Sequence, residues 1–363
     1  MRCAASLVST VKSAPDAPLL RVEHLTTVFA FKGGREIAAV DDVSFDVGRG
    51  EAVGLVGESG SGKSVTALSI IRLVMPPGRI AGGRIELEGR NLLELDPREM
   101  QAIRGRRIGF IFQEPMLALD PVYTIGYQIE ETLAVHDLAR GAAAKRRALE
   151  LLDAVRVPEP QRRVREYPHQ LSGGLRQRAM IALAIAAEPA LLIADEPTTA
   201  LDVTVQAEIL DLLRDMRKAL NLSLLLITHD LAVVAEMADR VAVMYGGRIV
   251  EQASVDRIFR APAHPYTRGL LACIPGQQSG RALTQNTGGP FDEVRTRRLV
   301  AIPGTVPALG ELPPGCAFAP RCPDRFEPCD SAPPPEVAAG AEQTTRCFLY
   351  GPMSHAGRDE GRQ

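Results

Sequence analysis

The strongest constraint on the fold is an eight-residue glycine-rich segment that fits the phosphate-binding pattern G-x-x-x-x-G-K-[ST]. It follows a short apolar run at 53–56 and precedes a segment with helical periodicity. A strand, a loop and a helix in this order allow backbone N–H groups at a helix N-terminus to face phosphate oxygens. The sequence therefore predicts a nucleoside triphosphate site. Its residues are Gly57, Glu58, Ser59, Gly60, Ser61, Gly62, Lys63 and Ser64.

Two side chains of this loop carry specific chemistry. Lys63 supplies a positive charge for the β- and γ-phosphates, and Ser64 offers a hydroxyl to Mg²⁺. The glycines let the backbone turn through conformations closed to other residues. Apolar residues at three- to four-residue spacing from Val65 to Met75 predict a helix with one buried face, ending at Pro76.

Composition excludes several classes of protein. Lys and Arg total 42 against 44 Asp and Glu, so a net charge of -2 argues against a nucleic-acid partner. The longest uncharged apolar run, 179–187, is shorter than the roughly 20 residues that span a bilayer. We expect a disordered leader at 1–18, a disordered tail at 351–363, and a cytosolic location in which the six cysteines do not form disulfides.

Hydrophobic patterning predicts an α/β fold around the phosphate loop. Alternation over 19–47 predicts an antiparallel β region, which we expect to continue in the same style over 84–112. Residues 125–156 have helical periodicity and fall within a helical insertion expected at about 114–180. Two continuous apolar runs, 191–194 and 224–227, are typical of parallel strands buried on both faces.

The elements after these strands differ in character. The helix between the two runs is expected to begin at Asp202, which can cap it. Gly246 and Gly247 predict a hairpin turn between strands at 241–245 and 248–251. The Pro- and Gly-rich remainder is expected to form a small appended domain at 261–350, outside the main sheet.

Asp195 and Glu196 end the first buried strand, where a phosphate-loop enzyme needs carboxylates. Asp195 can hold Mg²⁺, directly or through water, and Glu196 can polarise the water that attacks the γ-phosphate. The plainer alternative is that both carboxylates cap the following helix.

Further segments resemble the motifs of ATP-binding subunits of ABC transporters, over residues 19 to about 260. In chain order they are Gln113 of a Q-loop, Leu171-Ser172-Gly173-Gly174 of a signature segment, Leu201-Asp202 of a D-loop, and His229 of a switch histidine. The resemblance implies a P-loop ABC ATPase domain over 19–260, with a mainly parallel sheet, an antiparallel β subdomain and a helical insertion. It also implies that ATP and Mg²⁺ are bound.

The same resemblance implies a head-to-tail pair of ATPase domains. Ser172, Gly173 and Gly174 would contact the γ-phosphate of the partner's ATP, at the start of a helix. Gln113 would sense Mg²⁺ and the attacking water, and His229 would touch the γ-phosphate. Glu196, His229 and Gln113 are thus the expected catalytic residues.

An aromatic residue before the first strands would stack on adenine in this family. Phe29 and Phe31 are both available, and either can instead pack in the core.

Two segments of the tail are distinctive: His264-Pro265-Tyr266-Thr267 and Gly315-Cys316-Ala317-Phe318-Ala319-Pro320-Arg321-Cys322. They resemble the tail of the dipeptide and oligopeptide importer subgroup. Cys316, Cys322, Cys329 and Cys347 have the spacing C-x5-C-x6-C-x17-C. Four cytosolic thiols indicate a metal site more often than disulfides, and zinc, a [4Fe–4S] cluster and free thiols all remain open on the residues. The resemblance favours the cluster. Cys3 and Cys273 lie apart from the four and are expected to be ordinary thiols.

The resemblance implies an ATPase subunit that energises bacterial import of dipeptides or oligopeptides, peripheral to the cytoplasmic face of the inner membrane. Its partners would be a second, homologous but non-identical ATP-binding subunit, two transmembrane permease subunits and, indirectly, a solute-binding protein. The same subgroup also serves nickel, glutathione and other small solutes. A soluble ABC ATPase is a remoter alternative, since this chain has one uninterrupted domain and no basic surplus.

Overall fold

The structure, a computed structural model, describes residues 17–31, 33–274, 302–308 and 310–351. Most of the expected leader, the expected tail after Gly351 and Cys3 lie outside the described residues.

The described chain contains both strands and helices. The strands are β1 (Leu20–Ala30), β2 (Glu36–Val47), β3 (Ala52–Val56), β4 (Gly78–Leu87), β5 (Arg90–Asn91), β6 (Ile108–Ile111), β7 (Leu191–Asp195), β8 (Ser223–Thr228), β9 (Arg240–Tyr245), β10 (Arg248–Ser254), β11 (Val337–Gly340) and β12 (Gln343–Thr345). The α-helices are α1 (Lys63–Ile70), α2 (Pro97–Ile103), α3 (Pro115–Ala118), α4 (Ile125–Val135), α5 (Ala142–Ala154), α6 (Pro160–Arg163), α7 (Gly173–Ile185), α8 (Val203–Leu220), α9 (Leu231–Met237), α10 (Val255–Arg260), α11 (Pro265–Ala272) and α12 (Pro328–Ser331). Short 3-10 helices occupy Leu92–Glu94, Pro168–Gln170, Ala319–Arg321 and Phe348–Tyr350.

The chain divides into two compact units. Within the described residues, unit 1 comprises 17–28, 41–52 and 64–227, and unit 2 comprises 29–40, 53–63 and 228–351 with the gaps given above.

Unit 1 contains three neighbouring parallel strands in the order β6-β7-β8. Every residue of β7 and β8 is buried, as expected of parallel strands covered on both faces. The helix between them is α8, and the Asp202 side chain caps it by accepting a hydrogen bond from the Val205 N–H at 3.0 Å. The predicted strands, crossover helix and cap are confirmed.

Most of a second, four-stranded sheet in the order β2-β1-β4-β5 also belongs to unit 1. The expectation that β structure continues over 84–112 is partly wrong, because α2 lies inside that range. A capping box stabilises the N-terminus of this helix. Asp96 accepts hydrogen bonds from the N–H groups of Arg98 and Glu99, and the Glu99 side chain accepts one from the Asp96 N–H.

The helix after the phosphate loop is shorter than predicted. It ends at Ile70, and Met75, expected on its buried face, is 73% exposed. Arg72 takes a left-handed conformation with φ +54°, and the Leu73 N–H donates to the Leu68 carbonyl at 2.8 Å. This is a Schellman ending, and it stops the helix before the prolines are reached.

Unit 2 contains five strands in the order β11-β12-β10-β9-β3. β3 and β9 are parallel, with Val53 opposite Arg240, and β9 and β10 form the predicted hairpin. Gly246 and Gly247 turn it with φ values of +56° and +83°.

The tail is not an appendage outside the sheet, so that prediction is wrong. β12 pairs antiparallel with β10, placing Thr345 opposite Glu251, and β11 pairs with β12. Without β12, the outer edge of β10 would present unpaired backbone groups. Buried Gln343 reinforces the pairing, because its Nε2 donates to Glu251 Oε1 at 2.8 Å.

No helix within the described ranges is long and apolar enough to cross a membrane.

Candidate functional site

The phosphate loop joins β3, which ends at Val56, to α1, which begins at Lys63. Within unit 2 the Lys63 side chain is 4% exposed, and its Nζ donates to the carbonyls of Gly57 at 2.8 Å and Glu58 at 2.9 Å. The ammonium is therefore held over the turn of the loop, at the start of α1, where a bound anion is favoured.

Two glycines of the loop are required by its packing. A Cβ at Gly57 would lie 2.2 Å from the Met244 carbonyl oxygen, so no side chain fits there. Gly62 has φ +102°, and a Cβ there would lie 2.4 Å from the Ala39 carbonyl oxygen. The loop is also pinned to the β9–β10 hairpin, because the Gly247 N–H donates to the Ser61 carbonyl at 3.0 Å.

Unit 1 gathers a set of oxygen-bearing side chains at the end of β7, which we call the carboxylate cluster: Ser64, Gln113, Asp195, Glu196 and Thr199. The Ser64 hydroxyl donates to Asp195 Oδ1 at 3.0 Å. Asp195 is 5% exposed, a low value for an aspartate. Hydroxyl, carboxylate and amide oxygens are the donors that Mg²⁺ prefers, so Ser64, Asp195 and Gln113 suit this ion.

Glu196 is held from several sides within this cluster. Its Oε2 accepts hydrogen bonds from Thr199 Oγ1 at 2.7 Å and Gln113 Nε2 at 3.1 Å. Its backbone has φ +45°, unusual for a residue other than glycine, and its N–H donates to the Ile227 carbonyl at 2.9 Å. Strained backbone of this kind is concentrated at functional sites.

The structure brings Gln113, expected from the Q-loop, into contact with Glu196, and it adds Thr199, which the sequence analysis missed. The sequence did contain a signal for Thr199, because a threonine three residues after a glutamate can contact the glutamate carboxylate through a local turn. Asp202, expected in the D-loop, lies exposed at the N-cap of α8.

The signature residues form an exposed helix start elsewhere in unit 1. Ser172 is the N-cap of α7, and its hydroxyl accepts a hydrogen bond from the Leu175 N–H at 3.4 Å. Gly173 is exposed, and a Cβ at Gly174 would lie 2.8 Å from Val205 Cγ1, so Gly174 lets α7 approach α8 closely.

The remaining predicted residues belong to unit 2. His229 directly follows β8 and is exposed. Phe31 is 51% exposed and Phe29 is half-buried, so the ring of Phe31 is the more accessible of the two.

All four cysteines of the tail line one pocket of unit 2. Burial raises the pKa of the Cys322 thiol to about 11 and that of Cys347 to about 12, and it also raises the pKa of Cys316. These thiols are therefore protonated at neutral pH, and a metal would displace their protons on binding. Among the described residues, no group of three or more His, Cys, Asp or Glu side chains is placed to hold a metal ion, so the expected cluster is not supported by this arrangement.

Comparison with known families adds two matches. Residues 40–199 match the family described as ABC transporter, and residues 250–329 match the family described as oligopeptide/dipeptide transporter, C-terminal region. Together they include the phosphate loop, the signature segment, Asp195, Glu196, and three of the four pocket cysteines.

Individual relatives match over nearly their whole length. The chain is 49% identical over 333 residues to the oligopeptide transport ATP-binding protein AppD of Bacillus subtilis, covering 92% of this chain and 97% of that protein. It is 50% identical over 339 residues to a putative peptide import ATP-binding protein of Brucella abortus, again covering 92% of this chain and 97% of the relative.

Solved structures confirm the predicted fold class. The dimeric structure of the ATP-binding cassette MJ0796 bound to ADP and Pi, in a post-hydrolysis state, matches with a TM-score of 0.58 and 30% identity, covering 65% of this chain and 98% of that one. The structure of cbiO1 from Clostridium perfringens, part of an ABC transporter complex, matches with a TM-score of 0.57 and 26% identity, covering 67% of this chain and 91% of that one. The chain belongs to the ATP-binding subunits of ABC transporters, in the group that carries the oligopeptide/dipeptide transporter C-terminal region.

Proposed function

We propose that this chain hydrolyses ATP to energise the import of dipeptides or oligopeptides, as the ATP-binding subunit of an ABC importer. The observation that carries the proposal is the match, at about half identity, to peptide-transport ATP-binding proteins along almost their full length. That match includes the C-terminal region and not only the ATPase domain.

The proposed chemistry of hydrolysis uses residues of the phosphate loop and of the carboxylate cluster. The loop N–H groups and Lys63 bind the phosphates, and Ser64 follows Lys63 directly in the chain. Glu196 polarises the attacking water, while Gln113 and Thr199 orient its carboxylate. Ser64, Asp195 and Gln113 would hold Mg²⁺, which would neutralise phosphate charge. His229 touches the γ-phosphate, and Phe31 or Phe29 stacks on adenine.

A second ATP-binding subunit completes the site in this proposal. Ser172, Gly173 and Gly174 lie at the exposed or half-exposed N-terminus of a 13-residue helix, suited to the γ-phosphate of ATP bound by another chain. The exposed Asp202 lies at the same contact. The related MJ0796 cassette is a dimer in its solved structure. We propose a homologous, non-identical partner for this chain.

An exposed apolar surface of unit 1 suits two permease subunits at the cytoplasmic face of the inner membrane. It follows Gln113 closely in the chain, and the rings of Tyr123 and Tyr127 stack with centroids 4.6 Å apart. Its members and their exposed fractions are Met116 42%, Leu117 83%, Val122 68%, Tyr123 44% and Tyr127 47%. Exposed apolar patches of this kind mark protein contacts.

Leu117→Asp is expected to lower the amount of permease recovered with this subunit by about tenfold or more, because a charge in an apolar interface costs at least ~1.4 kcal/mol. The measurement is affinity purification from native membranes in gentle detergent, with quantitative identification of copurifying subunits. ATPase activity of the isolated subunit should be unchanged. Leu220→Asp, at the far end of α8, is the matched control. Equal permease recovery with Leu117→Asp and wild type would contradict this surface.

The transported solute is tested separately. Cells from which the subunit has been deleted are compared with the same cells after the subunit is supplied again. Uptake of labelled dipeptides and oligopeptides is compared with uptake of nickel and glutathione. Restored peptide uptake supports the proposal, and restored uptake of only nickel or glutathione moves the subunit to that alternative cargo.

We propose a [4Fe–4S] cluster at the four-thiol pocket from the identity of the four donors and from the resemblance of the tail, although their described arrangement does not form a metal site. Four thiols of unit 2 face one largely apolar space, flanked by Phe318 and Phe348. Cys316, Cys322, Cys329 and Cys347 would hold the cluster. When bound, it would brace a loop-rich region.

Anaerobically purified protein is expected to contain about four iron and four acid-labile sulfide atoms per chain, the content of one [4Fe–4S] cluster. Cys329→Ser should reduce this content strongly, whereas Cys273→Ser, which alters a thiol outside the pocket lining, should preserve it. Metal and sulfide analysis with absorption spectroscopy makes the measurement. Colourless protein without iron or sulfide would contradict the proposed cluster. Stoichiometric zinc would instead identify the pocket as a zinc site.

A further inference from the structure

Two segments of the C-terminal region meet the same residue of the phosphate loop. Arg321 lies in the 3-10 helix Ala319–Arg321, directly before the pocket cysteine Cys322, and Tyr266 lies in α11. Both contact Glu58, the second residue of the loop, and all three belong to unit 2. Neither contact is needed for the chemistry of hydrolysis described above.

Arg321 forms a bidentate ion pair with Glu58. Its two terminal nitrogens donate to the carboxylate oxygens at 2.7 and 3.1 Å, and its Nε donates to the Pro303 carbonyl at 2.8 Å. The Arg321 side chain is only 4% exposed, whereas that of Glu58 is 30% exposed. The hydrogen bonds with Glu58 raise the pKa of the Arg321 guanidinium. Paired geometry of this type fixes orientation as well as distance.

Tyr266 holds the main chain of the same residue. Its hydroxyl accepts a hydrogen bond from the Glu58 N–H at 2.9 Å. The ring is fully buried and packs against Tyr245 and Phe318, with centroids 4.7 and 5.3 Å away. A ring enclosed in this way has little freedom to follow a moving loop.

Glu58 also connects these contacts to the phosphate-binding lysine. Its carbonyl accepts the bond from Lys63 Nζ at 2.9 Å, so its side chain, N–H and carbonyl each have a partner. A shift of Glu58 would therefore move both the loop backbone and the carbonyl to which Lys63 is bonded.

We infer that Arg321 and Tyr266 are positioning residues for the phosphate loop, through which the C-terminal region holds the loop in the shape that binds ATP. The inference rests on the proposed function of the loop in ATP binding. Arg321 and Tyr266 act through Glu58 rather than on the nucleotide. The C-terminal region thereby supports the ATP affinity of this chain.

The test compares full-length wild type with Arg321→Gln, Arg321→Lys and Tyr266→Phe. Arg321→Gln should raise the Kd and KM for ATP by about tenfold with a much smaller change in kcat, because a displaced loop weakens binding of the ground and transition states alike. Arg321→Lys should recover part of the loss by restoring the charge. Tyr266→Phe removes one neutral hydrogen bond and should raise the Kd about two- to tenfold.

A double variant separates positioning from general stability. Glu58→Gln combined with Arg321→Gln should be no worse than Arg321→Gln alone, since both act through one contact. Arg268→Gln is the matched control, because Arg268 pairs with the exposed Asp324 in the same region. Thermal unfolding identifies variants that fail to fold. If Arg321→Gln does not fold, Tyr266→Phe, which loses a single hydroxyl, still tests the inference.

The possible results distinguish the inference from the proposed function. Folded Arg321→Gln and Tyr266→Phe with wild-type Kd and KM would overturn the inference, as would a lowered melting temperature without a change in KM. Wild-type protein that does not bind ATP would instead overturn the proposed function of the loop.

Discussion

Replacing Glu196 with glutamine is expected to lower ATP turnover by about 10²–10⁴-fold, the range for loss of a general base. Its Oε2 accepts hydrogen bonds from Gln113 and Thr199, which fix the carboxylate at the end of β7. The amide keeps the size of the side chain but cannot take a proton from water. ATP binding should be retained, because the loop and Lys63 are unchanged. Single-turnover hydrolysis and equilibrium ATP binding, measured on the same preparation, separate the two effects.

Glu131→Gln is the matched control for this variant, because Glu131 is an exposed glutamate of α4. Its turnover should equal that of wild type. Turnover of Glu196→Gln within a few-fold of wild type would assign the catalytic role to another group.

Lys63→Ala is expected to weaken ATP binding itself. A hydrogen bond to a charged group contributes ~1.5–3 kcal/mol, so its loss should raise the Kd for ATP about 10- to 160-fold. Lys63 is buried and is bonded to the carbonyls of Gly57 and Glu58, so its removal also frees the loop turn. Turnover at subsaturating ATP should fall by at least the same factor. Titration with a fluorescent ATP analogue and steady-state kinetics make the measurement.

Lys145→Ala, which alters an exposed lysine of α5, controls for the lost charge and should leave the Kd unchanged. A Kd for Lys63→Ala equal to that of wild type would mean that this loop does not bind the phosphates.

Local sequence patterns were sufficient for the centre of the fold. The continuous apolar runs at 191–194 and 224–227 are buried parallel strands, and the helix between them begins at the predicted cap Asp202. The signal is strong because strand burial, helix periodicity and capping each depend on neighbouring residues.

The sequence-based predictions were wrong where a tertiary contact or a turn outweighed the local hydrophobic pattern. The helix after Ser64 stops at a left-handed Arg72, although apolar spacing continues to Met75. β12 is only three residues long, too short for an alternating pattern to be recognised, yet it completes the edge of β10.

The sequence by itself determined the class of site: a phosphate loop, two carboxylates after a buried strand and an oxygen-rich set suited to Mg²⁺. Each of these residues lies within or directly beside a strand or helix with a recognisable pattern, so its position in the sequence indicates the chemistry of the site. Only the tertiary structure decided that the tail joins the sheet through β12 and reaches the phosphate loop through Arg321. Glu58 and Arg321 are 263 positions apart, and a pairing over that distance leaves no periodic trace in a single sequence. It forms because folding buries Arg321, and a buried guanidinium requires a charged partner.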